Sequence, residues 1–119
     1  MSGKPGGGKR DRYIQPSVLM ALLEGTSYGY ELIHKLPEYG FMRGEAAPGM
    51  VYRHLRQMEE EGMVRSEWEA EGAGPAKRMY SITRDGREVL DAWMEYLERQ
   101  AGIMRAFVDR YRSLAGSGS

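Results

Sequence analysis

Residues 64–83 read VRSEWEAEGAGPAKRMYSIT. Val64, Ser66 and Trp68 alternate with Arg65, Glu67 and Glu69, and the run from Arg78 to Thr83 alternates again through Tyr80 and Ile82. A period of two marks strands, and a glycine- and proline-rich joint between two such runs marks a hairpin. Gly72, Gly74 and Pro75 supply that joint, and Lys77 and Arg78 stand where it gives way to the second strand. The tip of the hairpin is therefore expected to carry two adjacent cations. A solvated hairpin turn would show the same residues, so their meaning depends on what precedes them.

What precedes them is helical. From Tyr13 the pattern repeats at about 3.6, with Pro16 tolerable in a first turn and Val18, Leu19, Leu22 and Leu23 on an apolar face that stops at Gly25. Thr26 and Ser27 can cap a second helix bearing Tyr28, Leu32, Ile33 and Leu36, which Pro37 should end. Pro48 suits the first position of a third helix, and Gly62 suits its stop. At 100° per residue that helix places Val51, Leu55 and Met58 on one face, with Gly49, Arg53, Arg56 and Gln57 opposite and Met50 at the edge. Arginine and glutamine on such a face can bond bidentately to guanine and adenine in a major groove, and Gly49 lets the backbone approach a phosphate. An ordinary amphipathic surface helix would also look like this.

The order of elements decides between these readings. Three helices, the third with a basic outer face, followed by a hairpin with cations, make a winged helix-turn-helix: the third helix enters the major groove and the wing lies along the backbone or minor groove. Lys77 and Arg78 would then meet phosphates. The fold class expected is mainly α with a small β-hairpin, plus a long C-terminal dimerisation helix. The divisions expected are a basic tail over 1–12, the DNA-binding domain over 13–83, the long helix over 84–113 and a flexible end over 114–119.

Composition sets limits without choosing. The chain has 119 residues, one small domain, and its 17 basic and 17 acidic side chains cancel, so any attraction to nucleic acid must come from local clustering. It has no cysteine, which removes disulfides, thiolate metal sites and a cysteine nucleophile and is compatible with a cytoplasmic location. No apolar run approaches a membrane span or a signal peptide. Gly3 to Lys9 matches the spacing of a phosphate-binding loop, but Arg10 stands where a serine or threonine should follow and no strand precedes it. His34 and His54 are the only histidines, and no metal site or other cofactor is expected from them. The acidic run Glu59 to Glu61 reads as a solvated helix end, and no nucleophile motif suggests an enzyme.

Three blocks carry a resemblance: YGYEL at 28–32, PGMVYRHLRQMEEEGMV at 48–64 and GPAKRMYSITRDGREVL at 74–90. Over roughly Tyr13 to Leu97 the chain resembles the PadR family of bacterial winged-helix transcriptional repressors. The resemblance implies homodimers that bind palindromic operators on double-stranded DNA and release them when a small molecule binds near the dimer interface. It further implies a DNA-contacting tyrosine, here Tyr52, and a basic wing, here Lys77 and Arg78. The pair Gly49–Met50 departs from the small polar residues usual at that place in the third helix. A winged-helix module that binds protein instead of DNA is the alternative that zero net charge leaves open.

Thr83 can cap the last helix, with Asp85 in its first turn, and the helix should run to about Arg112. Such a helix outreaches a domain of this size and needs a partner surface. Leu90, Met94, Leu97, Ala101, Met104, Val108 and Tyr111 follow at spacings of four and three, the seam of a coiled coil and the expected dimer contact. A second row, Trp93, Tyr96, Ile103 and Phe107, widens the stripe, and whichever row is not the dimer contact is expected to pack on the first helix of its own or the partner subunit. Trp93, Met94, Tyr96 and Leu97 are candidates for a pocket that takes a planar apolar effector, or for plain core residues.

Overall fold

A computed structural model of the chain describes residues 12–25, 28–69 and 77–117. The elements in order are α1 (Ile14–Leu23), α2 (Gly29–Lys35), a single 3-10 turn (Leu36–Tyr39), α3 (Pro48–Glu60), β1 (Val64–Glu69), β2 (Lys77–Ile82) and α4 (Arg84–Ser117). Three helices, a two-stranded hairpin and a long terminal helix are the expected architecture.

The core forms where the inward faces of these elements converge. Ile14, Val18, Leu19, Ala21 and Leu22 of α1 meet Leu32, Leu36, Val51, Leu55, Met58, Val64, Tyr80 and Leu90. Val51 and Leu55 have no exposed surface and Met58 is 2% exposed, as the helical spacing of α3 required. Each such side chain contributes about 1.5–3 kcal/mol through burial. Leu23, expected on the same face as Val18 and Leu22, is instead 43% exposed at the C-terminal end of α1.

Helix ends explain the turns. Pro48 opens α3, and Gly62, at φ 83°, closes it. The Met63 N–H donates to the Met58 carbonyl at 2.9 Å and the Gly62 N–H to Glu59 at 3.1 Å, the paired bonds of a left-handed glycine stop. The caps expected at Thr26 and Ser27 lie outside the described residues. The helix begins beyond them at Tyr28, whose N–H donates to the Glu31 carboxylate at 3.3 Å. α2 ends at Lys35, ahead of Pro37 as expected, and Pro37 enters the 3-10 turn that follows, where its missing N–H costs little.

β1 and β2 pair antiparallel from Val64↔Ile82 to Glu69↔Lys77. Tyr28 adds an isolated bridge to Met79, which ties the start of α2 to the edge of the hairpin. Pairing that reaches Glu69 and Lys77 corrects one expectation: Lys77 and Arg78 are the first residues of β2, not the tip. Gly72, Gly74 and Pro75 lie outside the described residues, as do residues 1–11 of the expected tail.

α4 is 34 residues long and gives the chain extents of 70 × 27 × 26 Å. It continues to Ser117, past the expected end near Arg112, since Ala115 favours helix and Gly116 costs only about 1 kcal/mol. Thr83 caps it: the Gly86 N–H donates to Thr83 Oγ1 at 3.0 Å.

Candidate nucleic-acid interface

The outer face of α3 is the first component. Gly49, Tyr52, Arg53, Arg56 and Gln57 are exposed there, while the opposite row is buried. Gln57 Nε2 donates to the Glu61 carboxylate at 3.3 Å, one turn along the same face. Space around Gly49 is open, with no atom within 4 Å of where a Cβ would sit. Met50 does not join this face. It is half-buried against the core, and its carbonyl accepts a bond from His54 Nδ1 at 3.0 Å.

Tyr52 leans from α3 onto α2. A Cβ on Gly29 would stand 2.6 Å from the Tyr52 ring, so only glycine lets the ring lie against the first residue of α2. This places the Tyr52 hydroxyl in a cleft of about 360 Å³ between α2, α3 and the hairpin, lined also by Tyr28, Tyr30, Trp68, Lys77, Arg78 and Tyr80. Burial raises the Tyr80 phenol above the usual tyrosine value, with the nearby Arg78 guanidinium opposing it, so Tyr80 stays neutral in ordinary buffers.

Both hairpin cations are held against aromatic rings. Lys77 Nζ lies 5.4 Å from the Tyr28 ring centre and 5.9 Å from that of Tyr30. The two rings stack on each other at 5.9 Å, and the Tyr28 hydroxyl donates to the Glu69 carboxylate. Arg78 covers Trp68 at 4.9 Å, donates from Nε to Ser66 Oγ at 2.9 Å and has a terminal nitrogen 3.9 Å from Glu59. Glu59 is thus not the solvated carboxylate that the acidic run suggested. Its position in the last turn of α3 faces the inner side of the hairpin. Within the described residues, Lys77 and Arg78 line the same cleft as Tyr52 of α3, and Arg56 of α3 acts with Arg78 on the Tyr80 phenol.

The long helix divides in two. Leu90 is 4% exposed and belongs to its own subunit's core, which removes it from the expected dimer seam: it sits in the second turn of α4, directly over α1. Trp93 Nε1 donates to Gln15 Oε1 at 2.8 Å, and the indole meets the Tyr13 ring edge-on at 6.0 Å and the Tyr96 ring at 5.8 Å. Tyr13 in turn stacks on Phe41 at 4.5 Å. The upper half of the second row therefore packs on α1 of its own chain. Beyond Leu97 the helix leaves the domain: Met104 is 64% exposed, Phe107 75% and Tyr111 68%, with Ala101 and Leu114 exposed beside them and Val108 half-buried.

No group of three or more metal-binding side chains occurs among the described residues, and no helix is long and apolar enough to cross a membrane. Tyr28, Tyr30, Ser66, Glu59 and Trp68 were not singled out from sequence as parts of this face. A signal existed for Ser66, a polar residue in the inward row between Val64 and Trp68, where a hydroxyl needs a partner.

The comparisons bear on the family and the fold. A model of the transcriptional regulator PadR-like family matches residues 18–92. A probable transcriptional regulator of Mycobacterium tuberculosis, Rv1176c, is 32% identical over 78 residues, which span 66% of this chain and 41% of that protein. Among solved structures, TM0937, a conserved protein of unknown function described as a potential transcriptional factor, superposes with a TM-score of 0.78 at 29% identity, covering 92% of this chain and 96% of its own. Bacillus subtilis PadR in complex with operator DNA superposes with a TM-score of 0.61 at 24% identity over 70% of this chain and 47% of that one, a likeness of fold.

Proposed function

The chain belongs to the transcriptional regulator PadR-like family, and from that premise we propose that it is a homodimeric, sequence-specific DNA-binding repressor of the cytoplasm, released from a palindromic operator by a small planar apolar effector. The observation that carries the reading is the exposed row Gly49, Arg53, Arg56 and Gln57 on α3, set beside a hairpin that brings Lys77 to the same side. Arg53, Arg56 and Gln57 read base edges, Gly49 admits the phosphate backbone, and Tyr52 and Lys77 hold the duplex in register. Phosphate contacts of this kind set affinity and its salt dependence, whereas base contacts set sequence preference.

Dimerisation uses the projecting half of α4. Met94, Leu97, Ala101, Met104, Val108 and Tyr111 form the seam, with Ile103, Phe107 and Leu114 alongside. A helix that exposes so many large apolar side chains in one subunit has a surface to bury in another. The paired α4 helices then set the separation of the two α3 helices, which must match successive major grooves about 34–36 Å apart. An effector near Met94 and Leu97, at the level where α4 leaves the domain, acts by binding two such separations unequally. A gel shift with the duplex upstream of the protein's own coding sequence, against a random duplex, tests the reading. A discrete complex with the first at salt concentrations that dissolve the second is expected. Equal binding to both removes sequence specificity, and binding to neither leaves a winged-helix module for a protein partner.

A further inference from the structure

The outer half of the hairpin poses a mechanical question. Two strands alone are marginally stable in water, and apolar burial on the inward row fades from Val64 at 2% exposure to Trp68 at 63%. Hydrophobic packing therefore anchors the base of the hairpin and not its outer part, where a wing must be held to touch DNA. Polar contacts have to do that work.

Ser66 sits at the middle of β1 and has one hydroxyl hydrogen to give and lone pairs to accept with. The hydrogen goes to Glu59, whose two carboxylate oxygens lie 3.0 and 2.9 Å away, and a lone pair takes the Nε–H of Arg78 at 2.9 Å. Glu59 belongs to the last turn of α3, Ser66 to β1 and Arg78 to β2, so one hydroxyl fastens three consecutive elements. The Arg78 guanidinium is further fixed by Trp68 across the strand pair and by the proximity of the Glu59 carboxylate. On the reading of this face as a DNA surface, we infer that Arg78 is a positioning residue: through Ser66 and Glu59 it locks the wing to the recognition helix. Phosphate contact at the wing then falls to Lys77.

This assignment departs from the sequence expectation, which gave Arg78 the same task as Lys77. It makes three demands. Removing the hydroxyl of Ser66 changes no charge yet must weaken DNA binding. Replacing Arg78 by lysine keeps the charge but loses both the Nε–H and the flat face, so it must not restore binding. Neutralising Glu59 takes a negative charge away from a DNA surface and must nevertheless weaken binding, where simple electrostatics demands the opposite.

The test uses the full-length protein with Ser66→Ala, Arg78→Lys and Glu59→Gln, each confirmed as folded by circular dichroism, on the upstream duplex over a series of salt concentrations. The expected result is a loss of about threefold to tenfold in affinity for all three with the salt slope unchanged, and a Ser66→Ala/Arg78→Lys double variant no worse than the weaker single one. Wild-type affinity in Ser66→Ala and Arg78→Lys, or tighter binding in Glu59→Gln, overturns the inference. So does a fall of about one unit in the salt slope of Arg78→Ala, the mark of a phosphate contact. Hydrogen exchange at the β1 and β2 amides is measured on the same samples. If the wild type binds no DNA, the functional reading fails by itself, and exchange still decides the lock: faster exchange in Ser66→Ala upholds it, unchanged exchange overturns it.

Discussion

Gly86 stands in the first turn of α4, and replacing it by alanine sets two rules of protein energetics against each other. Intrinsic helix propensity favours alanine by up to about 1 kcal/mol, so a reading from sequence alone expects stabilisation. The structure expects the reverse. A Cβ on Gly86 would fall well inside contact distance of the Met63 carbonyl oxygen, 2.9 Å from Ile82 Cγ1 and 3.0 Å from the Met63 carbonyl carbon. The nearest atom belongs to the Met63 backbone, which cannot swing away as a flexible side chain would, so α4 itself must move outward by about 1 Å. The Met63 carbonyl is the acceptor for both the Thr83 N–H and the Thr83 hydroxyl, each at 3.0 Å, and such a shift carries these bonds past about 3.5 Å. The hydroxyl bond is worth about 1 kcal/mol, the backbone bond about 1 kcal/mol and the residual strain about 1–3 kcal/mol. After the propensity gain, Gly86→Ala should lose about 2–4 kcal/mol. Urea unfolding followed by circular dichroism at one fixed protein concentration reads this as a midpoint lowered by about 1–2 M. A midpoint equal to or above wild type would refute the close approach of α4 to Met63.

Four other outcomes follow from the interface and the core. Arg53→Ala should cost about 1–3 kcal/mol on the operator and much less on random DNA, measured by titration on both duplexes, with equal losses marking a backbone contact instead. Lys77→Ala should lower the salt slope by about one unit while leaving sequence preference intact, and an unchanged slope removes the wing from the interface. Burial and then the neighbouring Glu24 carboxylate raise the Tyr39 phenol to about 12, above its unfolded value near 10, so its contribution is full below about pH 10 and is lost as pH climbs toward 12. Tyr39→Phe should therefore flatten the fall in urea midpoint between those limits, in part only because Tyr80 is shifted in the same direction. Met104→Glu places a charge on the projecting half of α4 and, if α4 carries the proposed dimer contact, should leave a monomer at low micromolar concentration by sedimentation, with α3 and the hairpin still folded.

How much of this was legible in the sequence depends on the range of the interaction. The inward row of α3 followed from 3.6-residue spacing, and the hairpin from a period of two, because burial imposes those periods locally. Thr83 as the start of α4 and Gly62 as the stop of α3 were readable because capping is also local. Leu90 was not assignable: a heptad position looks the same whether a helix meets its own domain or a partner, and only the proximity of α1 places this one in the subunit's core. The contacts of Arg78 were hidden by a similar limit. Its charge and its position beside a loop are visible in sequence, but Glu59 and Ser66 lie 19 and 12 residues away, and only the fold brings them within reach. Tyr28 was placed on the apolar face of the second helix and Tyr30 was given no role, because residues two apart do not share a helical face. They matter through the stack they make beneath Lys77.

The same long-range contacts connect the two halves of the molecule. α4 begins two residues after β2 ends, and its capping residue Thr83 bonds the carbonyls of Gly62 at 2.6 Å and Met63 at 3.0 Å, which form the turn between α3 and β1. One threonine thus joins the end of α3, the base of the hairpin and the start of the long helix. Gly86 keeps α4 pressed against that joint, and on the other side Trp93 fastens α4 to Gln15 of α1. A tilt of α4 about this joint cannot leave α3 and the hairpin behind, because the latch is made of backbone carbonyls rather than long side chains. The segment of α4 that carries Leu90 and Trp93 is rigidly part of the domain, and the segment beyond Leu97 is free of it. Any separation that two projecting segments impose on each other is therefore delivered to the Thr83 joint as motion of the whole domain, with α3 and Lys77 carried together.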